Sequence, residues 1–114
     1  MSETEHIEFE ESSGNVFADI GFDAPTAARL SYKADLVGVL YRAQQERDLN
    51  QSAFSRLVGI PQPRLSKLYS GKLDGMSTDK LLDAVARVGA HVVIRVEAHP
   101  EAGDAAGRVE LEVL

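Results

Sequence analysis

The sequence predicts a mainly α-helical domain of four to five helices that closes with a β-strand or hairpin. Apolar residues recur at helical spacing from Pro25 to Val88, and Gly59, Gly71 and Gly89 each stand where such a run stops. After Gly89 the period changes from about 3.6 to two, with Val92, Ile94 and Val96 alternating with Val93, Arg95 and Glu97. With 114 residues, 44% of them apolar, the chain suits one small domain with a modest core.

Three regions follow: an acidic N-terminal arm over 1–24, a helical unit over 25–90, and a strand-forming tail over 91–114. The opening MSETEHIEFEES is charged and weakly patterned, as in a solvated arm. Ile7 and Phe9 alternate with His6, Glu8 and Glu10, a pattern that also suits a strand laid against another protein. A first long helix is expected after Pro25, because Leu30, Ala34, Val37 and Tyr41 are spaced four, three and four apart and Leu40 widens the stripe. It should end near Asp48.

Asn50 is a good N-cap for a second helix carrying Ala53, Phe54, Leu57 and Val58, which stops at Gly59 and leaves Ile60 to plug the core. Pro63 disfavours helical geometry at Gln62 but fits a first turn, so a third helix runs from about Pro63 to Ser70 and stops at Gly71. Gln62 is then at an exposed tip. Ser77 or Thr78 caps a fourth helix with Leu81, Leu82, Val85 and Val88 on its buried side.

Beyond Gly89, the segment around Val92 and a second one with Val109, Leu111 and Val113 are joined by turn-forming HPEAGDAAG, which suits an antiparallel hairpin. Two strands alone are marginal in water. The strand from Val92 to Val96 is therefore expected to pair with its symmetry mate, making the chain a homodimer.

Charge locates the functional centre. Residues 1–24 hold seven acidic side chains and no Lys or Arg, 25–87 hold ten basic and six acidic, and 88–114 hold two basic and five acidic. Within the stretch Leu49 to Leu73, which holds the second and third helices and the glycine turn between them, the charged residues are Arg56, Arg64, Lys67 and Lys72, with no Asp or Glu. Two short helices meeting at a tight turn can lay one across a phosphate backbone while the next offers its N-terminal residues to base edges. Gln51, in the first turn of the supporting helix, is placed for a phosphate. Gln62 and Arg64 suit adenine and guanine through paired hydrogen bonds, with Lys67 about one turn further on. Ser66, Ser70 and Lys72 suit phosphate contacts, although serines near helix ends also bond locally to backbone.

Other classes are disfavoured. No apolar run approaches the roughly 20 residues that span a bilayer, and the acidic N-terminus lacks the basic and apolar regions of a secretion signal, so a cytoplasmic location is expected. Cysteine is absent, which removes disulfides, thiolate catalysis and sulfur-based zinc sites. His6, His91 and His99 have no metal-ligand spacing, and neither a Gly-rich phosphate loop nor a nucleophile elbow is present. The chain is read as a non-enzyme without cofactor or metal.

The order Asn50, Gln51, Phe54, Ser55, Gly59, Ile60, Leu65, Ser66 and Gly71 resembles the helix-turn-helix of the Cro/cI repressor superfamily, the Xre-type regulators. SSGNVFADIGF at Ser12 to Phe22, and GIPQPRLSKLYSGKLDGMSTDKLL followed by GAHVVIRV, are similar to its HigA-like antitoxin branch. Such a resemblance implies a dimeric, DNA-binding antitoxin that neutralises a RelE/HigB-like ribonuclease and represses its own operon from an inverted-repeat operator. It also implies Gln51 as the phosphate anchor and Gln62, Arg64 and Lys67 as base readers. Ser55 stands where alanine is usual, and Pro61 where serine is more usual, which removes a capping contact. Two alternatives stay open: a stand-alone Xre-type regulator without a toxin, and a protein-binding module that has lost DNA affinity.

Overall fold

The computed structural model describes residues 16–99, 101, 103 and 107–113. The arm up to residue 15, with the alternation at Ile7 and Phe9, and part of the loop between the two expected strands lie outside them. The elements are α1 (Val16–Asp19), α2 (Ala24–Glu46), α3 (Gln51–Val58), α4 (Gln62–Tyr69) and α5 (Thr78–Arg87), with a 3-10 turn at Leu73–Gly75. The 23-residue α2 is the spine, against which α1, α4, α5 and the 3-10 turn pack, while α3 packs on α4 and α5.

Local chemistry sets the boundaries. Pro25 lies in the first turn of α2, where a missing N–H does no harm. This helix ends two residues before Asp48, which takes a left-handed φ of 54° as Leu49 N–H donates to the Gln44 carbonyl at 3.3 Å. Asn50 caps α3 by accepting from the Ala53 N–H at 2.8 Å, a contact typically worth about 1 kcal/mol. Gly59 closes α3 with φ 75°, a conformation that costs a residue with a Cβ roughly 1–2 kcal/mol. Ser77 rather than Thr78 caps α5, accepting from Lys80 N–H at 3.2 Å.

Phe54, Leu40, Leu65, Leu68, Leu81, Val37 and Val85 are fully buried, and Ile60 joins them from the turn after α3. Each side chain of this kind contributes about 1.5–3 kcal/mol through burial. The buried face of α2 differs from the one expected. Lys33, Val37, Leu40 and Gln44, spaced four, three and four, form its centre with Leu36 and Ala43, whereas Leu30, Ala34 and Tyr41 are only partly buried. Two polar residues therefore sit on the inward stripe, and both are hydrogen-bonded.

Lys33 Nζ donates to the Leu73 carbonyl at 3.3 Å. Burial and the nearby Arg29 lower its pKa, against an opposing pull from Asp74. Gln44 Nε2 donates to the Leu49 carbonyl at 3.0 Å, and Gln44 Oε1 accepts from the Tyr69 hydroxyl at 2.6 Å. Tyr69 also meets Tyr41 edge to face, with ring centroids 5.2 Å apart. The end of α4 is thus bound to the turn that launches α3.

Burial, and secondarily Tyr41, push the Tyr69 phenol above its ordinary pKa of 10.0. The folded chain keeps that proton when the unfolded chain has lost it, so this part of the stability is complete below pH 10 and declines as pH rises beyond it, by up to about 1.4 kcal/mol per pH unit. Tyr69→Phe should flatten this decline, although it lowers stability at pH 8 by about 1–3 kcal/mol through the donor lost at Gln44. Urea midpoints between pH 8 and 11.5 check it; parallel curves for the two proteins would refute the assignment.

At the C-terminal end the structure differs from the expected hairpin. Among the described residues, 90–99 and 107–113 contain no strand and do not pair with each other. Alternation sets two faces for a segment, but a ladder also needs a neighbouring backbone, and no ladder partner for this segment is found among the described residues. Val93, Ile94 and Val96 are 72%, 76% and 89% exposed, so neither face of that segment is covered. Ala90 and Leu111 pack against the core.

Candidate nucleic-acid interface

The geometry of α4 follows from its sequence. Leu65, Leu68 and Tyr69 turn inward and join the core that holds Phe54 and Val58 of α3, as their spacing predicts. Gln62, Pro63, Ser66 and Lys67 are consequently exposed on the outer face, and Ser70 lies just past the helix end. Pro61 at the N-cap offers no side-chain bond; its carbonyl accepts from the N–H groups of Arg64 and Leu65 at 2.9 Å each. Side chains at the start of α4 are thereby presented without a capping group over them.

The candidate residues do not all take equivalent places. Gln51 begins α3 and is half-buried, beside the positive end of that helix. Gln62, Ser66, Lys67 and Lys72 are exposed. Ser70 is exposed too, but its hydroxyl donates to the Lys67 carbonyl at 2.9 Å, the local bonding habit of serine at a helix end. Arg64 is half-buried on the flank of α4 and donates from Nη1 to the Gly75 carbonyl of the 3-10 turn. The outer face is therefore built from Gln62, Ser66 and Lys67, bounded by Arg64 on one flank and Lys72 beyond the end.

Sequence reasoning missed the residues that fix this surface in place. Besides Lys33 and Gln44, Arg47 donates from Nη2 to the Val88 carbonyl at 3.1 Å, joining the ends of α2 and α5. The Arg87 guanidinium lies over the turn between α3 and α4, so close that a Cβ on Gly59 would be 2.5 Å from Nη1. Gln44 was findable, standing four residues after Leu40 on the inward stripe. Arg47 and Arg87 carry no local signal, because the groups they meet, the Val88 carbonyl and the Gly59 turn, are distant in sequence.

Chemically the arrangement offers amide, hydroxyl, ammonium and guanidinium donors from a stretch, Leu49 to Leu73, that contains no Asp or Glu. Among the described residues no group of three or more His, Asp or Glu is placed to hold a metal ion. No helix among them is long and apolar enough to cross a membrane.

Comparison with known proteins gave a match to one family model, described as a helix-turn-helix domain, over residues 16–97. Curated proteins and solved structures gave no match. The matched span runs from α1 through α5 into the tail and takes in 82 of 114 residues. A supporting helix, a left-handed glycine turn and a second helix with a polar outer face are the parts by which such domains meet a DNA groove, and the chain belongs to this helix-turn-helix domain family.

Proposed function

We propose that the chain is a DNA-binding repressor that acts as a homodimer, setting two copies of α4 in successive major grooves roughly 34 Å apart on an inverted-repeat operator. The observation that carries this reading is the acid-free outer surface of α3 and α4 in a chain of net charge −6. Gln62 and Lys67, with Arg64, read base edges; Gln51, Ser66, Ser70 and Lys72 hold phosphates. Pairing of residues 92–96 with their symmetry mates supplies the dimer, which is supported by the exposure of Val93, Ile94 and Val96.

The finer role is that of an antitoxin. An arm with seven acidic side chains and no Lys or Arg, carrying exposed Ile20 and Phe22 near its end, suits a basic protein partner such as a RelE/HigB-like ribonuclease. A chain whose gene has no such neighbour, yet which silences its own promoter, is instead a stand-alone regulator.

Titration of the upstream DNA over a range of salt tests the DNA-binding reading. Lys72→Ala should weaken operator and random duplex alike and reduce the salt slope by about one unit, whereas Lys67→Ala should narrow the gap between them. Absence of binding at low salt would leave a protein-binding module.

A further inference from the structure

We infer that Gly75 is a positioning residue for DNA readout: its bare carbonyl and missing side chain form the seat that holds the Arg64 guanidinium at the edge of the reading face. This rests on the DNA-binding reading above. Arg64 Nη1 donates to the Gly75 carbonyl, and a Cβ built on Gly75 would run into Nη1 and lie 3.3 Å from Arg64 Cζ. The glycine is not demanded by the backbone, because the left-handed glycines are Gly21, Gly59, Gly71, Gly89 and Gly103, and Gly75 is not among them. Space for the guanidinium explains it instead.

The seat itself is fixed. Lys33 of α2 holds the Leu73 carbonyl at 3.3 Å, so the first and last residues of the 3-10 turn are each held by a cation from a different helix. A guanidinium has five N–H donors in a rigid fork, and one bond to a carbonyl leaves the remaining edge for a base. An arginine swinging freely loses rotamer freedom when it binds, whereas one already held loses less. Gly75 thereby acts through Arg64 without touching DNA.

The test pairs a spectroscopic with a binding measurement on the full chain. In the wild type, rotation about the Arg64 Nε–Cζ bond should be slow enough to give distinct Nη signals by NMR, and Gly75→Ala should average them. That substitution should also reduce the ratio of operator to random-duplex affinity roughly tenfold, leaving random-duplex affinity unchanged. Combined with Arg64→Ala it should add nothing to the loss from Arg64→Ala alone. The inference is overturned if Gly75→Ala leaves the Nη signals and the ratio as they were, if it weakens both duplexes equally, or if its effect adds to that of Arg64→Ala. Should the wild-type chain bind no duplex at all, the DNA-binding reading falls and the readout role of Gly75 falls with it. Failure of the inference alone is distinguishable, since the wild type then binds its operator normally.

Discussion

Phe54→Ala is expected to remove about 3–5 kcal/mol of folding stability. Phe54 is completely buried in the core shared by α2, α3, α4 and α5, so truncation opens a cavity where the two helices of the reading unit meet. A domain of this size has about 5–15 kcal/mol in total, so the loss is a large fraction of it and should lower the melting temperature accordingly. Urea unfolding at 25 °C measures the change. A loss below about 1 kcal/mol would place the centre of the core elsewhere.

The second large effect concerns the tail. Ile94→Pro removes a backbone donor and blocks strand pairing at a position 76% exposed in the single chain, so the monomer should fold as before. If residues 92–96 form the dimer, sedimentation should give a monomer, and affinity for a two-site operator should fall by roughly 10²–10⁴ while a half-site is bound almost unchanged. An undisturbed dimer would remove the segment from the interface.

The ends of α2 to α5 were legible because they are written locally, whereas α1 falls inside the segment read as an acidic arm and was not expected. Asn50, Gly59, Pro63, Gly71, Ser77 and Gly89 act on their immediate neighbours, and the helix ends fall within about two residues of their expected places. The inward face of α2 was not legible to the same degree. Apolar spacing finds Val37 and Leu40 but passes over Lys33 and Gln44, whose burial depends on a carbonyl 40 positions away and a phenol 25 positions away. For the tail, alternation at Val92 to Val96 suggests two faces, yet among the described residues no strand forms there and both faces are exposed, because pairing depends on a second backbone that no single sequence names. The candidate site divides in the same manner. Gln62 and Lys67 follow from helix geometry, whereas the seating of Arg64 depends on Gly75, eleven positions on and across a turn.

The bond between Gln44 and Tyr69 restricts how this sequence can drift. Both groups are buried, and each meets a hydrogen-bonding need of the other. Exchange of Tyr69 for phenylalanine takes the donor from the Gln44 amide oxygen, about 1–3 kcal/mol uphill, and an apolar residue at position 44 also takes the donor from the Leu49 carbonyl. Position 44 is therefore tied both to position 69 and to the backbone at Leu49, and a lineage that changes it must replace two hydrogen bonds together to keep the end of α4 bound to the turn that launches α3.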